Sequence, residues 1–340
     1  MHMADALISP AVGGTMWAAT AGLIAYSAKK VKEEADDRKI PLMGVLGAFI
    51  FAAQMINFSI PGTGSSGHLG GGMILAILLG PYAAFLVMAS VLIVQALFFA
   101  DGGLLALGCN IFNLGFFPCF IVYPLIYRKI VAGMPTRGRI MLGSVLGAIA
   151  GLQLGAFSVV LETVLAGIAE LPFRAFVLLM QPIHLAIGIV EGLVTAAVVT
   201  FVWKARPEIL DAVEYVGVIG KKVEMKRTFL GLAVAAVIAG GALSWFASGN
   251  PDGLEWAMFK TSGKEELESH EPAHVSLAAI QEKTAILPDY GFKKAESETA
   301  PEVWPAVDLG TSVSGLVGGA LTLLLAVVIG LGLRRSKRAA

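Results

Sequence analysis

Long apolar segments constrain this 340-residue chain more than any other feature. A helix needs about 20 apolar residues to cross the ~30 Å hydrocarbon core of a bilayer. Eight segments approach or exceed that length, at residues 7–28, 41–58, 82–100, 104–127, 140–169, 176–203, 229–247 and 312–333. A shorter ninth segment, 71–80, ends where Pro81 interrupts the helical hydrogen bonds. Only 15% of the residues are charged, well below soluble domains, so we predict an all-α, polytopic membrane helix bundle.

Clusters of basic residues predict which loops face the cytoplasm. They lie at residues 29–32, 128–139, 204–227 and 334–338. If every cluster is cytoplasmic, the chain crosses an even number of times between any two of them. Segment 71–80 must then be counted as a further crossing, made by a half-length membrane helix. Nine crossings place the amino terminus outside the plasma membrane and the carboxyl terminus in the cytoplasm.

The same parity predicts the domain organisation. The loop at 248–310 holds 12 acidic and 5 basic residues and falls outside, together with residues 1–6 and 59–70. This asymmetry indicates two sides of a membrane rather than a nucleic-acid surface. We predict a seven-span module over 1–205, a cytoplasmic linker over 206–227 and a two-span module over 228–340.

The amino terminus is a candidate metal chelate. The free amine of Met1, the backbone nitrogen of His2 and its imidazole can close two fused rings on one ion. Such rings hold the three nitrogens in a plane, and a fourth in-plane nitrogen completes the square that Ni(II) or Cu(II) favours. A histidine at position two is weak evidence by itself.

A glycine-rich loop on the predicted outer side supplies a second histidine. His68 lies in a run of glycine and hydroxyl residues that includes Ser65 and Ser66, where the backbone can approach a small ligand closely. An ordinary loop is the alternative. Polar residues near the outer ends of the spans are candidates to hydrogen-bond the ligating imidazoles or to join helices: Gln95, Asp101, Asn110 and Asn113.

Ionisable residues within the predicted spans are a further class of candidates. His184 and Glu191 lie seven residues apart on one helix face, and Glu162 lies in the preceding span. Such residues are costly in lipid and usually functional. Pairing that joins the helices or supports the metal ligands is favoured over direct ligation.

Two other patterns have structural alternatives. His270-Glu271-Pro272-Ala273-His274 matches the zinc-protease helix signature, but Pro272 and acidic neighbours favour a chance match in an exposed loop. Gly44, Ala48 and Ala52 form a small-residue stripe that suits either packing within the chain or docking of a partner subunit.

Taken together, these residues resemble the CbiM/NikM family, the substrate-binding membrane components of energy-coupling-factor nickel and cobalt transporters. The resemblance covers about residues 1–205. It rests on Met1-His2, Gly47 to Phe51, Thr63 to His68, Gly80-Pro81, Gln95-Ala96-Leu97 with Gly102-Gly103, Leu107 to Asn110, and His184 to Gly188 with Glu191. The stretch from Pro251 to Trp256 is similar to the signature of the two-span companion subunit, here fused. Asp101 is a departure, since relatives often carry histidine there.

The resemblance implies a seven-helix module whose transported Ni²⁺ or Co²⁺ is held by Met1, His2 and His68. It also implies a transmembrane coupling subunit and two cytoplasmic ATPase subunits as partners. We expect a non-catalytic transporter subunit that relies on its partners for ATP hydrolysis, because the sequence has no G-x-x-x-x-G-K-[ST] phosphate loop and so cannot hydrolyse ATP alone. Nickel is slightly favoured. The alternatives are an ion-coupled secondary transporter and, less favoured, an intramembrane metalloprotease.

Overall fold

The predicted helix bundle is confirmed. The computed structural model describes residues 2–34, 39–133, 135–168, 171–207, 209–210, 226–264, 267, 271–293 and 304–338. After a 3₁₀ turn at Asp5–Leu7, the first helices are α1 (Pro10–Glu34), α2 (Lys39–Gln54), α3 (Gly72–Leu79) and α4 (Pro81–Phe99). The next span is α5 (Leu107–Ile111), a π-helical stretch at Phe112–Tyr127 and α6 (Arg128–Val131), and α7 (Arg137–Ala166) and α8 (Phe173–Ala205) follow.

The second group of helices begins beyond the linker. It contains α9 (Lys226–Gly241), a 3₁₀ turn at Leu243–Phe246, α10 (Gly253–Ser262), α11 (Pro272–Thr284), a 3₁₀ turn at Pro288–Tyr290 and α12 (Leu309–Arg338). Both α9 and α12 pack against α2 of the first group. Most of the predicted cytoplasmic linker over 206–227 lies outside the described residues.

Five helical segments within the described ranges are long and apolar enough to cross a membrane: Pro81–Phe99, Leu107–Val131, Arg137–Ala166, Phe173–Ala205 and Leu309–Ser336. Lys39–Gln54 and Thr228–Gly241 are shorter apolar helices. The eight residues of α3 extend only about 12 Å at 1.5 Å per residue, less than half of the core. Such a half-span suits the nine-crossing topology, which stays a prediction.

The loop predicted before α3 is more ordered than its glycine content indicated. Strands β1 (Phe58–Ile60) and β2 (Ser65–Gly67) pair antiparallel, with Phe58 opposite Gly67 and Ile60 opposite Ser65. All three residues of β2 are buried. The hairpin lies against α8 because Gly67 has no side chain: a Cβ there would collide with Ile187. The candidate ligand His68 follows this contact directly.

The small-residue stripe of α2 is an intramolecular contact. Gly44 packs against Leu323 and Val327 of α12, and Ala48 faces Gly319 of the same helix. Ala48 and Ala52 are both buried. The chain's own last helix therefore covers the face that a partner subunit could otherwise occupy.

Candidate metal centre

His2 and His68 meet at the end of the bundle where α4 ends. Their rings are stacked, with centroids 5.0 Å apart and planes inclined by 13°. The residues are 66 positions apart in the sequence, so only the tertiary structure joins them. Met1 lies outside the described residues. Within the described ranges, no three His, Cys, Asp or Glu side chains are grouped to hold a metal ion.

The chain next to His2 is fixed by hydrogen bonds to the loop and helix after α4. The N–H of Met3 donates to Oδ1 of Asn110 over 2.8 Å, and its carbonyl accepts from the N–H of Gly103 over 2.9 Å. The Met3 side chain is fully buried. Asn110 therefore contacts the backbone beside the imidazole rather than the imidazole itself.

The His68 loop is held by side chains from two helices. Glu191 of α8 accepts from the N–H of Gly70 over 2.6 Å and from that of Gly71 over 3.1 Å. Gln54 of α2 donates to the carbonyl of Gly70 and accepts from Gln95 over 2.9 Å. Glu191 accepts two backbone hydrogen bonds from this loop and Gln54 makes one, so Glu191 is the principal support of the loop.

Both imidazoles are in the protonation state that metal ligation requires. Burial lowers the pKa of His2 to about 3 and that of His68 to about 3, so both rings are neutral at physiological pH. Nδ1 of His68 lies 3.0 Å from the carbonyl of Leu69. A proton on Nδ1 leaves Nε2 with a free lone pair, since a neutral imidazole has one donor and one acceptor.

A carboxyl group lies beside His2. Oδ1 of Asp101 is 3.3 Å from Nδ1 of His2, and the hydroxyl of Tyr290 donates to Oδ2. Tyr290 also stacks on Phe99, with centroids 5.1 Å apart. Tyr290, which belongs to the second group of helices, thus contacts the carboxyl group of Asp101 that lies beside the candidate ligand His2.

The other candidates lie near the site but contact different groups. Nδ1 of His184 is 2.8 Å from the carbonyl of Met180, one turn back in α8. Glu162 accepts from Asn113 over 2.8 Å, which joins α7 to the π-helical stretch. Ser65 bonds to Thr63, and Ser66 donates to the carbonyl of Asn250. Neither serine contacts an imidazole in the described contacts.

The segment from Asn250 to Trp256 covers the His68 hairpin. The N–H of Ser66 donates to the carbonyl of Pro251, and the indole of Trp256 donates to the carbonyl of Thr63. Asp252 begins α10 with a capping box, accepting from the N–H groups of Leu254 and Glu255. The first and second groups of helices therefore enclose the site together.

The zinc-protease match is not in an exposed loop, contrary to our expectation. Pro272 begins α11, because a proline tolerates the first turn of a helix, and His274 is buried. Nε2 of His274 is 2.8 Å from the carbonyl of Ile8, which joins α11 to the segment before α1. His270 lies outside the described residues. The hydrogen bond to Ile8 indicates a structural role for His274.

Two residues at the site were missed by sequence reasoning. Gln54 had a usable signal, because a buried amide in an apolar helix needs hydrogen-bond partners. Tyr290 had none, because nothing in its local sequence indicates contact with Asp101, 189 positions away.

Comparison with known proteins supports the sequence resemblance. Residues 2–209 match the model of the CbiM family, described as the cobalt uptake substrate-specific transmembrane region, and residues 226–335 match the PDGLE domain. A putative fused nickel transport protein NikMN of Archaeoglobus fulgidus is 32% identical over 96% of this chain and 96% of its own length. A cobalt transport protein CbiM of Sorangium cellulosum is 29% identical over 64% of this chain and 97% of its own.

A solved structure agrees with these relatives. The crystal structure of a transition metal transporter is 30% identical, with a TM-score of 0.55 over 64% of this chain and all of that one. The family model covers more than half of the chain, and the Archaeoglobus fulgidus protein aligns along nearly its whole length. The chain therefore belongs to the CbiM family and carries a PDGLE domain after the CbiM region.

Proposed function

We propose that this chain is the metal-capturing membrane subunit of an ATP-driven energy-coupling-factor importer for nickel or cobalt. The ion is the transported substrate, bound by the Met1 amine, the backbone nitrogen and imidazole of His2, and the imidazole of His68. The observation that carries the proposal is the 5.0 Å approach of two neutral imidazoles from distant parts of the chain. The names of the relatives, nickel and cobalt transport proteins, support it.

The division of labour follows the two groups of helices. Residues 1–205 form the metal-binding component, 206–227 the cytoplasmic linker and 228–340 the PDGLE-type module. The amino terminus and metal site face outward, and the carboxyl terminus is cytoplasmic. The partners are a transmembrane coupling subunit and two cytoplasmic ATPases, since this chain has no phosphate loop of its own. We propose that it is not itself an enzyme.

A nitrogen-only site favours nickel slightly over cobalt. His2 can close a chelate ring with its own backbone nitrogen only through Nδ1, and the resulting plane suits Ni(II). Nδ1 of His2 lies 3.3 Å from Oδ1 of Asp101, so it must turn from the carboxyl group to bind the ion.

The alternatives have less support. A proton-coupled transporter would use Glu162, His184 and Glu191, but the described contacts of these residues go to Asn113 and Ser158, to Met180 and to the His68 loop. They form no continuous relay among the described residues. An intramembrane protease would need His274 at a metal, whereas its Nε2 contacts the carbonyl of Ile8.

The test is metal binding by purified full-length protein with an intact amino terminus. We expect His68→Ala to reduce Ni²⁺ affinity by at least about tenfold, since it opens one coordination position. His274→Gln is the matched control, because a glutamine amide can still donate to the carbonyl of Ile8. Stronger loss in the control than in His68→Ala would refute the assignment, and ATP-independent uptake without partner subunits would favour the secondary transporter.

A further inference from the structure

We infer that the large cavity beside His2 and His68 is an acidic chamber, built by both parts of the chain, that collects hydrated divalent cations for the metal site. This inference rests on the proposed function and deepens it. The cavity has a volume of about 740 Å³ and is lined by both histidines. Its walls come from the CbiM region and from the PDGLE domain.

Among the described residues of the lining, the charged side chains other than histidine are all acidic. The CbiM region contributes Asp5 and Asp101, and the PDGLE domain contributes Asp252, Glu255 and Asp289. The described residues that line the cavity include no lysine or arginine. Negatively charged carboxylates on low-dielectric walls raise the local concentration of cations and exclude anions.

The carboxyl groups are held in place by the fold. Asp252 and Glu255 belong to the capping box of α10, in which the N–H of Asp252 donates to Glu255 over 3.0 Å. Asp289 precedes Tyr290, which donates to Asp101 of the CbiM region. The PDGLE domain thus positions three of the five acidic side chains.

A second, independent observation connects the chamber to a ligand. The side chain of His2 lines the cavity and is only 7% exposed. Its Nε2 atom is buried and has no hydrogen-bond partner in the described contacts. Buried polar atoms are nearly always paired, so an unpaired ring nitrogen at a cavity wall indicates a missing partner. Water carried by an entering cation can supply that partner.

The size of the chamber suits a hydrated ion. Six waters at about 30 Å³ each occupy about 180 Å³, which is well below the available volume. By contrast, a separate cavity of about 10 Å³ between His68, His184 and Gly253 admits about one water at most. The ion therefore enters the large chamber with its water shell and exchanges water for nitrogen at the histidines.

Such a chamber acts on the rate of capture more than on the stability of the bound state. Electrostatic attraction raises association rates and weakens as salt rises, whereas dissociation depends on the ligands themselves. Neutralising chamber residues that are not ligands should slow association and leave dissociation nearly unchanged.

The test is stopped-flow binding of Ni²⁺ to the full chain in nanodiscs of zwitterionic lipid. Glu255→Gln combined with Asp289→Asn removes two charges. Gln keeps an acceptor for the N–H of Asp252, and Asn tolerates the positive φ of 50° at position 289. We expect association to slow by about tenfold, with a weaker salt dependence than that of the unmodified chain.

Glu282→Gln is the matched control, since Glu282 is an exposed carboxylate of α11 that does not line the chamber. It should leave the association rate unchanged. Salt-independent association of the unmodified chain, or an equal effect of Glu282→Gln, would overturn the chamber. Loss of binding in His68→Ala would then still support the proposed function, whereas normal binding in His68→Ala would refute that function whatever the chamber variants do.

Discussion

Replacement of Glu191 tests whether the helix bundle positions the metal site. Glu191→Leu removes the acceptor for the N–H groups of Gly70 and Gly71, at 2.6 and 3.1 Å. Each buried donor left without a partner costs about 1–3 kcal/mol, so the folded loop loses about 2–6 kcal/mol of support. If about 3 kcal/mol of this is needed to hold His68 in place, metal affinity falls by about 100-fold. Glu191→Gln keeps one acceptor, and we expect a loss of about tenfold.

The assay is isothermal titration of Ni²⁺ into protein with an intact amino terminus, together with a thermal unfolding curve for each variant. Glu162→Gln is the matched control, because it changes the same group in a neighbouring span whose contacts are Asn113 and Ser158. It should bind Ni²⁺ normally. Unchanged affinity in Glu191→Leu, with the bundle still folded, would refute the argument that α8 positions the His68 loop.

Three further predictions test topology, the chelate and the packing of the hairpin. Pro61 and Lys264 are both exposed, and cysteines at these positions should react with an impermeant thiol reagent added outside the cell. A cysteine at Arg137 should not react. Labelling of Arg137→Cys together with Pro61→Cys would contradict the nine-crossing topology. A variant with one alanine inserted between Met1 and His2 should still bind metal but should lose uptake. Two backbone nitrogens, the amine and the imidazole then fill the coordination plane without His68. Full uptake by this variant would exclude the proposed chelate. Gly67→Ala should weaken Ni²⁺ binding by displacing β2 from Ile187, and Ile187→Ala in the same chain should restore it; a failure of restoration would show that this contact does not set the position of His68.

Much of the architecture follows from the sequence because a bilayer restricts what an apolar chain can form. A span in lipid must satisfy its backbone hydrogen bonds internally, so apolar length alone indicates helices. The predicted break at Gly80-Pro81 is observed, because proline and glycine act locally. Local capping chemistry likewise explains the start of α10 at Asp252. The errors were not local, because the packing of the hairpin on α8 and the burial of His274 beside Ile8 both depend on distant neighbours.

The candidate site depended on contacts that no local pattern contains. The sequence indicated His2 and His68 as separate histidines, and the resemblance joined them, but their stacking results from the packing of α2, α4 and α8 around two anchored backbones. The same holds for Asp101, whose partner Tyr290 comes from the far end of the chain. Periodicity, caps and breaks act over a few residues, whereas a binding site requires fixed distances between side chains that are far apart in sequence. Tertiary packing alone sets those distances.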